Sequence, residues 1–131
     1  MAFDWNGYLE VAENLKTETD GQPDSIAVEA KRRTAISRAY YAVYHLAEDY
    51  AVANLGYTPS RTGPNQHHTD VRSVYQRQFG SADHQEIRKM LMRLHKARLD
   101  SDYKPDSLGN VQLLLTSIIL EANKIKGILM R

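Results

Sequence analysis

Between Pro23 and Gly56 the sequence contains no glycine and no proline, and its apolar residues recur at three- and four-residue spacing. Such a run reads as one long helix from about Pro23 to Leu55. Pro23 suits its first turn, Asp24 and Glu29 place negative charge near its start, and Gly56 is its natural stop. Helical spacing continues almost throughout the chain, and no segment alternates with period two. The fold class is therefore all-α, an up-and-down bundle of about five helices with a long second one.

The first helix is expected over Asp4 to Lys16, with Trp5, Tyr8, Leu9, Ala12 and Leu15 on one face, and TETDGQPD ends it. GYTPSRTGPNQ must be a loop. A third helix is expected over Thr69 to Phe79, and a fourth, capped by Ser81 or Asp83, as far as Arg98. DSDYKPDS then interrupts, since Pro105 forbids a continuous helix, and a fifth covers Ser107 to Leu129. No internal repeat, low-complexity tract or composition shift divides residues 1–131, which read as one helical domain.

Charge narrows the function classes. A formal net charge of +1 gives no global attraction to a polyanion, so any nucleic-acid contact must come from a local patch. The absence of cysteine removes disulfides, thiolate zinc sites and cysteine nucleophiles, and suits a reducing cytoplasm. MAFDWNGYLE lacks the basic region and apolar run of a signal peptide. The longest apolar cluster, VQLLLTSIIL, is too short for a bilayer. The expectation is a cytoplasmic protein without a membrane segment.

The long helix has two sides. Ile36, Tyr40, Val43, Ala47 and Tyr50 fall along one stripe, the expected core seam. Arg38 and His45 point within roughly 20° of each other, about 10 Å apart along the axis, with Ala42 and Asp49 extending their strip almost opposite the seam. One reading of this strip is a solvated face. The other is a groove or dimer contact in which Arg38 holds a phosphate, His45 transfers a proton, and the small Ala42 lets a ligand approach. Tyr40 and Tyr44 read as packing residues with satisfied hydroxyls. Tyr41, beside the strip, is the candidate to stack a base or bond a phosphate.

Elsewhere Arg88, Lys89, Arg93, Lys96 and Arg98 make a basic stretch. With Lys31, Arg32 and Arg33 it is either a phosphate-binding surface or a solvated helix face. His67 and His68, near Asp70, do not share a helix face and read as polar residues at a helix start, so no metal site is expected. His84 and His95 share a face without sharing a site. There is no Gly-rich phosphate loop, no HExxH pattern and no nucleophile elbow, and no cofactor is expected.

SRAYYAVYHLAEDYA on the long second helix, RLHKARLDSDYKP with Arg98, Asp102 and Tyr103, and the opening WNGYLEVAENL together resemble the HEPN family, the higher eukaryotes and prokaryotes nucleotide-binding domain. The resemblance covers nearly the whole chain, with two independent motifs in the family's order. It implies a helical bundle that forms a homodimer, and a small partner of a nucleotidyltransferase-like protein in a toxin–antitoxin or defence-like system. Some members are metal-independent ribonucleases whose paired motif is an arginine, four to six residues, then a histidine. Arg38 and His45 satisfy that bare spacing and are the candidate catalytic pair, with arginine stabilising phosphate charge and histidine moving a proton.

In ribonuclease members the motif lies late in the chain, where this sequence has RLDSDY without a histidine, and Ala39 rather than a polar residue follows Arg38. The resemblance therefore points to a nucleotide- or RNA-associated binding module, with Tyr41, Arg98, Asp102 and Tyr103 as binding residues. Ribonuclease activity across a dimer and a purely structural dimerisation module are the alternatives. Arg38 and Arg98 could approach each other if the second and fourth helices are neighbours. The plainer reading of Arg98 and Asp102 is that they end a helix and fix the turn to Pro105.

Overall fold

The computed structural model describes residues 3–59, 66–106 and 108–131. They form five helices, α1 (Asn6–Thr19), α2 (Ile26–Asn54), α3 (Gln66–Gln76), α4 (Ala82–Tyr103) and α5 (Val111–Leu129), with no strand among the described residues. The fold class is all-α, as the apolar periodicity predicts.

Local chemistry sets the ends. Ser25 caps α2 by accepting the Val28 N–H, and Gly56, at φ 69°, turns the chain away beyond its end. Ser81, rather than Asp83, caps α4 through the His84 N–H, and Asn110 caps α5 through the Leu113 N–H. Ser107, where the sequence starts the last helix, lies outside the described residues, as does much of the GYTPSRTGPNQ loop.

All five helices depart from expectation at an end: α2 begins at Ile26, with Pro23 before its Ser25 cap and not in its first turn, and α5 begins only at Val111, since Leu108 to Asn110 are not helical. Thr17 to Thr19 extend α1, because the Thr19 hydroxyl bonds back to the Leu15 and Lys16 carbonyls while the chain end is clamped by Arg32. Helix α3 begins and ends three residues earlier than its apolar pattern suggests, at Gln66 and Gln76. Most consequential, α4 runs straight through DSDY to Tyr103. Pro105 still forbids further helix, but its steric effect reaches only Lys104, whose backbone is extended (φ −99°, ψ 114°).

Helix α2 is the hub and packs against all four others. Around it the neighbours run α1, α5, α4, α3, each touching the next, while α1 and α3 make no contact among the described residues. Helix α2 is therefore covered on every side but one. Ile36, Tyr40, Val43 and Ala47 are buried as the seam predicts, and Tyr50 is half-buried. They join Leu9, Val71, Tyr75, Ile87, Leu91, Leu94, Leu115 and Ile125 in a core drawn from all five helices. Burying each large side chain contributes about 1.5–3 kcal/mol, which is what holds a long, weakly amphipathic helix in place.

Candidate functional site

The open side of α2, between α1 and α3, carries the ionisable strip. Arg38 and Asp49 are exposed there, and Tyr41, His45 and Glu48 are half-buried. Ala42 does not belong to it. It is wholly buried and packs within the core. No small-residue gap admits a ligand backbone between Arg38 and His45.

Both candidate catalytic residues lean on the aromatic start of α1. Arg38 Cζ lies 4.9 Å from the centre of the Tyr8 ring. The His45 ring stacks on Trp5 with centroids 3.6 Å apart and an interplanar angle of 11°. Trp5 and Tyr8 themselves meet edge to face at 5.3 Å. His45 Nδ1 is 3.9 Å from Glu48 Oε1, yet burial outweighs Glu48 and Asp49 and lowers its pKa. His45 is therefore a neutral imidazole at neutral pH, with one ring face covered.

Tyr41, Arg98, Asp102 and Tyr103 come together. The continuation of α4 places Arg98 and Asp102 four residues apart on one face, with Arg98 Nε 3.0 Å from Asp102 Oδ2. The guanidinium lies over two rings, 4.8 Å from the centre of Tyr41 and 5.7 Å from that of Tyr103. Ser37 of α2 donates to Asp102 Oδ2 at 3.3 Å and ties the carboxylate to the hub. Arg98 is nearly covered, whereas Tyr103 is 70% exposed and offers a free aromatic face. Arg38 and Arg98 do not form a pair: the first contacts α1 and the second contacts Tyr41 and Tyr103.

Arg98 and Asp102 lie in the last turns of α4, where the plainer reading puts them, and a second arginine holds the carbonyls of the turn to Pro105. Arg33 does that, donating to the carbonyls of Ser101 at 3.1 Å, Lys104 at 2.6 Å and Asp106 at 3.1 Å. Arg32 likewise is buried and clamps the α1–α2 turn, through Asp24 at 2.9 Å and the Thr19 carbonyl at 2.9 Å. Lys31 pairs with Glu18, Arg93 with Glu121, and Lys96 with Asp100. The basic stretches of the sequence thus form no common cationic face. Most of these cations are engaged in holding helices to turns or to one another.

Next to Arg98 the structure assembles residues that the sequence reading passed over. His68 is not a surface residue at a helix start. It is buried, 2.6 Å from the Tyr40 hydroxyl through Nδ1, and packed against Tyr44. His95, which does not pair with His84, stacks on His68 with centroids 4.5 Å apart and on Tyr40 at 5.2 Å. Arg72 of α3 reaches across to His95, with Nη1 3.0 Å from Nδ1. Because a guanidinium can only donate, that ring nitrogen accepts, and the neutral ring carries its proton on Nε2.

Burial, His95, Arg98, His67 and Arg72 together hold the pKa of His68 down to about 4. Burial, then Arg72 and Arg98, lowers that of His95. Both imidazoles are neutral at pH 7 beside two permanent positive charges. A signal was present: His68, Val71 and Tyr75 recur at helical spacing and place His68 on the apolar face of α3. His95 precedes Arg98 by one turn. Adjacent His67, which faces elsewhere, obscured the first of these.

Among the described residues no group of histidines and carboxylates could hold a metal ion, and no helix is long and apolar enough to cross a membrane. The Tyr41–Arg98–Tyr103 stack and the Arg72–His95–His68 cluster adjoin at Arg98. Set against protein-family models, curated proteins and solved structures, the chain matches none of them.

Proposed function

We propose that this chain is a HEPN-type binding module for a nucleotide or RNA, acting in the cytoplasm as a homodimer and as the partner of a nucleotidyltransferase-like protein in a toxin–antitoxin or defence-like system. The observation that carries the reading is the placing of Arg98 between Tyr41 and Tyr103. An arginine braced by a carboxylate supplies positive charge for a phosphate, and an exposed tyrosine beside it supplies a face on which a base can stack. The family resemblance supplies the class of ligand and the class of partner.

A ribonuclease acting through Arg38 and His45 has less support. Trp5 covers a face of His45, and Arg38 is occupied by Tyr8. That activity predicts RNA cleavage in EDTA that His45→Ala abolishes.

The binding reading is tested by fluorescence anisotropy with labelled oligoribonucleotides and by titration with mononucleotides. Stacking of one base on an aromatic ring contributes about 1–3 kcal/mol, so Tyr103→Ala should weaken binding by about 5- to 150-fold while leaving the thermal midpoint nearly unchanged. Equal affinity in the variant, or no binding by the wild type, would remove the assignment. Co-purification with the product of the adjacent gene tests the partner.

A further inference from the structure

Between Asp106 and Glu121 the sequence has no charged residue, although 25% of the chain is charged. Helix α5 begins in that stretch, and its N-terminal half turns an uncharged face to solvent. Leu113, Thr116, Ser117 and Leu120 make the face, with Asn110 and Asn123 at its two ends. Leu113 is 67% exposed and Leu120 is 72% exposed. Seven residues apart, they point within roughly 20° of each other, about 10 Å apart along the axis. The solvent faces of neighbouring helices carry charge instead, through Glu10, Glu13 and Glu18 on α1 and Lys89, Arg93 and Lys96 on α4.

Polar groups on the α5 face already have partners within the helix. Asn110 Oδ1 accepts the Leu113 N–H, the Thr116 hydroxyl donates to the Gln112 carbonyl, and the Asn123 amide donates to the Ile119 carbonyl, each at 3.0 Å. Covering the face would take two leucines out of water without breaking any of these bonds.

Symmetry and charge decide what fits it. Counted outward from Thr116 and Ser117, the face is the same in both directions: leucine three residues away, asparagine three residues beyond. A two-fold axis at its middle lays α5 antiparallel on its own copy and sets each Leu113 opposite the partner's Leu120. An unrelated partner imposes no such relation between the two halves. The first exposed charges past the ends of the face are Asp106 on one side and Lys124 on the other. Lys124 is held loosely, 3.9 Å from Glu86. Antiparallel pairing brings the acidic end of one copy to the basic end of the other, whereas parallel pairing sets like charge against like.

We propose that the N-terminal half of α5 is the surface on which this chain pairs with a second copy, antiparallel about Thr116 and Ser117. The inference rests on the homodimer in the function proposed above and assigns its face and register.

Analytical ultracentrifugation of the intact chain over a series of concentrations tests it. The wild type should dimerise, and Leu113→Glu and Leu120→Lys should each dissociate the dimer without loss of helical circular dichroism, since both side chains are on the surface. An equimolar mixture of these two variants should associate more tightly than either alone. In that pairing the introduced carboxylate meets the introduced ammonium, and the two remaining leucines meet each other. Leu120→Ala, which adds no charge, should weaken the dimer by roughly 30-fold or more, because two copies of the side chain leave the interface.

A mixture that associates no better than its components overturns the antiparallel pairing. Single variants as dimeric as the wild type overturn the α5 face and leave the homodimer standing. A wild type that is monomeric at every concentration overturns the proposal together with the homodimer, and nucleotide binding is then judged separately through Tyr103→Ala. If the product of the adjacent gene binds that monomer but not Leu120→Lys, the face belongs to a different protein and the proposal is overturned. The expected dimer in a chain that binds neither nucleotide nor RNA supports the interface and removes the binding reading.

Discussion

Lowering the pH through the range in which histidine normally titrates should destabilise this fold, chiefly through His68. Its ring is 7% exposed and is bounded by Tyr40, Tyr44 and His95. Its pKa stands at about 4 in the fold, against 6.5 for a free side chain. Between those values the unfolded chain binds a proton that the folded chain refuses. Stability present above the unfolded value is therefore lost as the pH falls towards the folded one. With these two values the loss is about 2 kcal/mol between pH 7 and pH 5, and about 3 kcal/mol by pH 4. His95, also lowered, acts in the same direction. Asp4 and Asp100, carboxylates whose pKa is lowered from 3.8, titrate below this window and do not disguise the effect.

Urea unfolding of the wild type and of His68→Asn at a series of pH values isolates the contribution. The asparagine amide oxygen can take the place of Nδ1 opposite the Tyr40 hydroxyl but cannot titrate. Between pH 7 and pH 5 the wild type should lose about 2 kcal/mol more than the variant. Parallel stability profiles would refute the reasoning, and so would a His68 ring proton that titrates near the free value by NMR.

Two further perturbations test the architecture. Ala42→Leu forces three extra carbons into a fully buried position on α2 and should cost about 1–3 kcal/mol in urea unfolding, whereas a solvated strip would tolerate it. Arg33→Ala removes three hydrogen bonds to the carbonyls that end α4, a loss of about 2 kcal/mol since the site is partly solvated. It should also quicken amide exchange around Lys104 to Asp106, and Arg33→Lys should not restore protection, because one ammonium cannot span the three acceptors.

The fold was legible because helical periodicity, capping residues and Gly or Pro punctuation agree along most of the chain. Ser25, Gly56 and Ser81 each do what their residue type favours. Legibility failed where a tertiary contact decides the outcome. DSDY looks like a break by composition, yet it is helical because Arg33, far away on α2, captures the carbonyls at its end. That extension matters for the site, since it sets Asp102 one turn from Arg98 and brings Tyr103 beside the guanidinium. Tyr41, Arg98, Asp102 and Tyr103 were accessible from the sequence as a group, although the angle at which α2 and α4 meet was not. Ala42 was misassigned because a helical wheel gives direction without saying where a neighbouring helix stops. His68 and His95 were missed for a related reason: one lies on a helix that begins just after the loop, the other in the middle of a helix, and only the packing of α3 on α4 stacks them.

The near-neutral total charge is a poor guide to what this chain can bind, because its cations do different work. Arg32 and Arg33 are engaged with backbone carbonyls at turns, and Lys16, Lys31, Arg93 and Lys96 with carboxylates. Arg72 is set apart from these. Its hydrogen-bond partners are a ring nitrogen and a hydroxyl, neither of which carries negative charge, and like Arg98, which lies over two tyrosine rings, it sits close to His95. Burial at the α2–α3–α4 seam falls on the histidine rings, whereas the Arg72 guanidinium is only partly covered and Arg98 has Asp102 as its counter-charge, so neither arginine carries the cost of a buried lone ion. Two neutral histidines beside two such guanidiniums therefore need no further counter-charge, and it is the histidines that make the stability of this seam depend on pH.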